Sequence, residues 1–137
     1  HKEDKTAPYP GMVDCVARLR AAGVNMAVLT NKADPMAGPV VNAYYPGLFP
    51  TVQGALPGMP TKPDPTLLHK LMERMNATRE NTLFVGDSNV DIRTAKNGGL
   101  TGCGVLWGFR SRQELETEGA DVLVQTPEEL ERVILGQ

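Results

Sequence analysis

Apolar residues recur along this chain at two alternating spacings. Val13, Val16, Ala17 and Arg20 fall near one face of a 3.6-residue repeat, with Leu19 beside them. They predict a helix from about Gly11 to Ala22, ended by Gly23. Val24 to Leu29 then runs mostly apolar instead of alternating, as parallel strands covered on both faces do. Pro35, Pro39 and Pro46 restrict the next stretch to a short or broken helix between Ala33 and Tyr44. Leu48 to Val52 reads as a peripheral strand and Gly54 to Pro65 as a Gly/Pro-rich loop. Leu67, Leu68, Leu71, Met72 and Met75 stripe a helix over Pro65–Met75, the methionines as core filler. Strands are predicted at Thr82–Val85, Thr101–Leu106 and Asp121–Val124. Helices are predicted at Val90–Asn97, closed by Gly98-Gly99, and at Arg112–Glu118. Thr126 caps a last helix, with Glu129 three positions on and Leu130, Val133 and Ile134 inward. Short strands alternating with helices imply right-handed crossovers and a mostly parallel α/β sheet.

Composition narrows the class. A chain of 137 residues, 41% hydrophobic and 22% charged, is enough for one domain with a substantial core. A formal charge of −2 argues against nucleic acid as a partner. No run is long and apolar enough to span a membrane, and no secretory signal is evident. Cys15 and Cys103 are isolated and His1 and His69 lie far apart, so neither a disulfide framework nor a zinc motif is indicated. A cytoplasmic location is the default expectation. Residues 1–8 open with a charged stretch lacking a strand pattern and read as an inter-domain linker or remnant, leaving residues 9–137 as the domain.

Candidate chemistry sits where predicted strands end. Asp87 follows the strand Thr82–Val85, and Asp91 lies one helical turn further on. Two such carboxylates suit a hard divalent cation such as Mg2+, and equally an Asp-rich helix cap. Thr30 and Asn31 follow another strand and offer donors for a phosphate oxygen, or form a polar turn. Lys32 reads as exposed. Lys62 lies in Pro60-Thr61-Lys62-Pro63-Asp64-Pro65, where proline limits the loop and a lysine can neutralise phosphate or a carboxylate. Asp64 reads as a helix cap. Trp107 borders a pocket or covers the core, and Arg110, Arg112, Tyr44 and Tyr45 are weaker candidates. Gly98-Gly99, Gly102 and Gly104 do not form a dinucleotide pattern.

Taken in order, Val24 through Lys32, Lys62-Pro63-Asp64-Pro65 and Gly86 through Asp91 resemble the haloacid dehalogenase superfamily, in particular its phosphoglycolate phosphatase-like hydrolases. The resemblance runs from about Tyr9 to Leu135. Pro10-Gly11 resembles the re-entry from a mobile cap into the core, and Val105-Leu106-Trp107-Gly108 fits the phosphatase-like branch. It implies a three-layer Rossmann-like hydrolase core. It also implies that Thr30 binds phosphate with Asn31 beside it, that Lys62 stabilises nucleophile and phosphoryl group, and that Asp87 binds Mg2+ with Asp91 supporting it. The implied reaction is hydrolysis of a small phosphorylated metabolite through an aspartyl-phosphate.

One part of the pattern is missing. The family's first strand carries a nucleophilic Asp and an acid/base Asp two positions later, ahead of the cap. Asp4 lies in a polar terminal stretch and Asp14 inside the first predicted helix, so neither substitutes. The resemblance starts after the cap, and the strand it lacks is the one at the centre of the sheet. An incomplete core follows, with two exposed ladders to be completed by an N-terminal fragment or a second copy. The chain alone is expected to be inactive within a phosphatase parent. The competing expectation is a non-catalytic phosphate-binding or assembly module.

Overall fold

The computed structural model describes residues 9–108 and 111–136; the stretch 1–8 and Arg110 lie outside the described residues. Among these, helices and strands alternate as the hydrophobic pattern requires. They are α1 (Met12–Ala21), β1 (Val28–Ala33), α2 (Asp34–Tyr44), β2 (Val52–Ala55), α3 (Thr66–Met75), β3 (Leu83–Gly86), α4 (Asn89–Gly98), β4 (Thr101–Val105), α5 (Arg112–Glu118), β5 (Val122–Val124) and α6 (Pro127–Leu135). Every ladder is parallel.

The sheet is split. β1 pairs with β2, aligning Val28 with Val52 and Leu29 with Gln53. β4 lies between β3 and β5, aligning Phe84 with Gly102 and Gly104 with Leu123. Among the described residues no ladder joins the two segments. The Rossmann-like α/β core is therefore present, with its sheet split into two segments. Burial reports the interruption independently. Gly102, Cys103, Gly104 and Val105 of β4 are buried, whereas no residue of β1 or β3 is, and Val85 of β3 is 38% exposed.

Two apolar clusters support this frame. Leu68 and Met72 of α3 meet Ala95 and Leu100, with Leu29 and Phe84 packed against them. Cys103, Val105, Val124 and Leu130 form the other, with Trp107 against it. α1 buries Cys15, Val16 and Leu19 and packs on α6, where Arg18 pairs with Glu131 at 2.8 Å.

Several boundaries differ from the sequence pattern for identifiable reasons. β1 begins at Val28, not Val24, because the Val24 amide donates to the Leu19 carbonyl at 3.1 Å and finishes the turn that ends α1. Thr30, Asn31 and Lys32 therefore fall inside the strand. β2 begins at Val52, not Leu48, because the Leu48 amide closes a turn on the Tyr45 carbonyl at 3.1 Å. Gly54 belongs to β2 and not to the following loop. Its amide donates to Asp34 Oδ1 at 2.8 Å, and a β-carbon there would stand 2.6 Å from Asp34 Cα. α2 runs unbroken through Pro39, which removes one internal hydrogen bond without ending the helix. Thr126 caps α6 as predicted, but the Glu129 carboxylate reaches the Gln125 amide.

Candidate active site

Asp91 is the hub of the β3–α4 turn. Ser88 is the N-cap of α4, and its hydroxyl accepts from the Asp91 amide at 3.3 Å. In return, Asp91 Oδ2 accepts from the amides of Asp87 (3.2 Å) and Ser88 (3.3 Å) and from the Ser88 hydroxyl (3.0 Å). This is a capping box, which satisfies the amide groups a helix leaves open at its start. Gly86 makes room for it, since a β-carbon there would overlap the Asp91 side chain. The helix-cap reading of the motif is thus correct for Asp91, and it leaves Asp91 Oδ1 for another partner.

That partner is Lys62, whose Nζ donates to Asp91 Oδ1 at 2.8 Å. The two side chains are only 15% and 12% exposed. An ion pair this sheltered is costly to break, because the surviving charge is left in a poorly solvated place. The Lys62 loop is held along its backbone too. Asn31 Oδ1 accepts from the Lys62 amide at 3.0 Å, and Asn31 Nδ2 donates to the Lys62 carbonyl at 3.4 Å. Asn97 Nδ2 donates to the Pro63 carbonyl at 2.9 Å. The Lys62–Pro63 peptide is cis.

Asn31, Lys62, Asp91, Ser88 and Asp87 therefore form one connected set, drawn from the far part of β1, the loop before α3 and the β3–α4 turn. Thr30 adjoins it in sequence; its Oγ1 accepts from the Lys32 amide at 3.2 Å, leaving the hydroxyl proton able to donate. Lys32 is exposed. The N-cap of α3 is Pro65 and not Asp64; Asp64 precedes it and closes an Asx turn, its Oδ1 accepting from the hydroxyl (2.6 Å) and amide (2.8 Å) of Thr66. The Thr66 hydroxyl is the main reason its carboxyl lies below the usual range.

Asp87 is exposed at the end of β3. Gly108 packs directly on it, since a β-carbon at Gly108 would lie 2.5 Å from Asp87 Cβ. The neighbouring Trp107 stacks on Tyr9, with ring centroids 5.2 Å apart. Trp107 thus covers core on one side and belongs to the turn over Asp87 on the other. Tyr45 meets Phe49 edge-on, at 5.3 Å, and Arg112 is exposed at the start of α5. Asn89 Oδ1 is buried without a hydrogen-bond partner among the described residues.

Sequence patterns alone miss Asn97 and the stacking of Tyr9 on Trp107. The one available signal is at Asn97, a poor helix former standing inside a helix. Both cysteines are buried free thiols; burial pushes Cys103 up to about 11 and raises Cys15 as well. Among the described residues no three His, Cys, Asp or Glu side chains gather to hold a metal ion, and no helix is long and apolar enough to cross a membrane.

Known proteins resemble this chain in sequence and fold. A family model described as haloacid dehalogenase-like hydrolase matches residues 2–99. The phosphoglycolate phosphatase of Pseudomonas putida is 32% identical over 120 residues, covering 87% of this chain and 44% of that protein. That of Escherichia coli K12 is 31% identical over 129 residues, covering 93% of this chain and 51% of its own length. The chain thus spans about half the length of these relatives. Among solved structures, a candidate phosphoglycolate phosphatase from Lactobacillus delbrueckii subsp. bulgaricus superposes with a TM-score of 0.90 at 37% identity, over 96% of this chain and 55% of that one. A predicted phosphatase from Clostridium acetobutylicum gives 0.85 at 25% identity, over 94% and 60%.

Proposed function

Because the chain belongs to the haloacid dehalogenase-like hydrolases, we propose that it is the post-cap core of a Mg2+-dependent phosphatase for a small phosphomonoester, with phosphoglycolate the first candidate. The observation that carries this reading is the Lys62–Asp91 pair at 2.8 Å, held beside the exposed Asp87 at the end of β3. A lysine fixed in that place keeps two further N–H donors for phosphate oxygens. Thr30 and Asn31 supply polar groups from β1. The names of the two relatives, both phosphoglycolate phosphatases at 31–32% identity, support the substrate class.

The donor set suits Mg2+ in a particular way. Mg2+ is usually held by one or two carboxylates, with waters and substrate phosphate completing its shell. Asp87 would hold it, and Asp91, with Oδ2 engaged by the turn, would keep that turn in shape. When bound, the ion would neutralise charge on the transferring phosphoryl group. The proposed route runs through an aspartyl-phosphate, and the 137 residues contain no Asp-x-Asp pattern to provide its nucleophile. The chain alone is accordingly inactive. The split between β1 and β3 marks where the missing strand would lie, contributed by an N-terminal fragment or by a second copy.

A phosphatase assay with Mg2+ and phosphoglycolate tests this reading. The chain alone gives no turnover, and a preparation containing the upstream strand turns over and loses at least ~10²-fold in Asp87→Asn. Turnover by the chain alone that Asp87→Asn abolishes would overturn the claim of inactivity. The lack of an Asp-x-Asp pattern also favours a second reading, a non-catalytic phosphate-binding module. An upstream sequence without that pattern, together with phosphate binding and no turnover, would select it.

A further inference from the structure

Lys62 is tied down over a length that its own ion pair does not explain. Asp91 is in the first turn of α4 and Asn97 near its last, six residues and therefore about 9 Å apart along the axis. The Lys62 ammonium meets the first at 2.8 Å, while the carbonyl of the next residue, Pro63, meets the second at 2.9 Å. The lysine therefore lies stretched along α4, head towards the N-terminal turn and backbone anchored near the C-terminal one. Asn31 fixes the same peptide from the β1 side.

We propose that Asn97 is a positioning residue that holds the Lys62 ammonium at Asp91 by fixing the Pro63 carbonyl. The inference deepens the phosphatase reading and rests on it for its purpose, since Lys62 is the cation assigned to the phosphate. A lysine on a loop free to move can carry its ammonium to many places. Anchoring the loop backbone at Lys62 and Pro63 narrows the places its ammonium can reach before any ligand arrives. Local helix preference does not account for Asn97. Alanine is the better helix former at an interior position, and the left-handed residue that ends α4 is Gly99. Asn97 is also exposed, so its truncation opens no cavity.

The test reads Lys62 itself, without catalysis. Trace acetylation of the chain, followed by peptide mass spectrometry, compares Lys62 with the other five lysines, Lys32, Lys70 and Lys96 among them. Asn97→Ala is expected to raise the Lys62 rate several-fold and leave the others unchanged. Asn97→Asp, which cannot donate to the carbonyl, does the same, whereas Asn97→Gln keeps a donor and restores slow labelling in part. An unchanged Lys62 rate in Asn97→Ala, or an equal rise at all six lysines, would overturn the proposal. Asp91→Asn separates the two failures. It raises Lys62 labelling wherever the ion pair exists, whatever reaction the protein performs.

Discussion

The two halves of the sheet are built to different standards of closure. In the three-stranded half, β4 is buried along Gly102–Val105 between two partners, and α5 and α6 seal Leu115, Val124 and Leu130. In the two-stranded half, β1 has one partner, an irregular register after Leu29, and no buried residue. Open parallel sheets ordinarily expose their outer strands and bury the middle ones. Here the order is inverted, because the strands flanking the split, β1 and β3, are the poorly covered ones while β2 and β4 beyond them hold the buried positions. An inversion of that kind goes with a sheet split between β1 and β3. The fold has two edges at its centre, and the candidate active-site residues sit on both sides of them.

The largest effect that would break the comparison is a pair of truncations. Leu115 is fully buried beside Gly104, so Leu115→Ala should cost about 2–5 kcal/mol. Leu29→Ala, in half-buried β1, should cost less than half as much. Urea unfolding of both variants measures the difference, and equal losses would mean that the two halves are packed alike. A smaller effect comes from Cys103 in β4. Burial raises its thiol from 9.0 to about 11, so the native state holds the proton more tightly than the unfolded chain. That stabilisation is complete below pH 9 and lost as pH rises to about 11, worth roughly 2–3 kcal/mol. Denaturation at pH 8.5 and 11 should show this loss in the wild type relative to Cys103→Ala. No difference would place β4 in contact with solvent. The smallest effect compares the aromatic pairs, Tyr45–Phe49 on the two-stranded side and Tyr9–Trp107 on the other. Double-mutant cycles should give about 0.5–1.5 kcal/mol for each. A null value for Tyr45–Phe49 alone would sharpen the contrast.

Much of this was legible before any coordinates. Helical stripes and glycine stops located α1, α3, α4 and α5 within a residue or two, because 3.6-residue periodicity survives tertiary context, whereas α2, expected short or broken from its prolines, runs unbroken. Strands were harder. Val24 to Leu29 is apolar except for Asn25, and the apolar run alone does not say that Val24 finishes the turn after a helix before the ladder starts at Val28. The gap was legible only through the resemblance, since a missing strand leaves no residues to read. Within the site, Asp87, Asp91, Lys62 and Thr30 were marked by their places after strands and in a proline-bound loop. Asn97 was not, because its role depends on a contact with Pro63, 34 positions away. Asp91 illustrates a different difficulty. Cap and candidate site acid looked like rival readings, but one oxygen of the carboxylate serves the cap and the other is left to Lys62.

Trp107 is the only tryptophan in the 137 residues. Its indole touches Tyr9 on one side, and the residue after it rests on Asp87. The molecule therefore carries one indole fluorophore, excitable at wavelengths where its three tyrosines do not absorb, and placed between Tyr9 and the acid turn. Its emission colour and its quenching by soluble agents report on that junction without a label. A change at the acid turn and a change at Tyr9 would be read through the same ring.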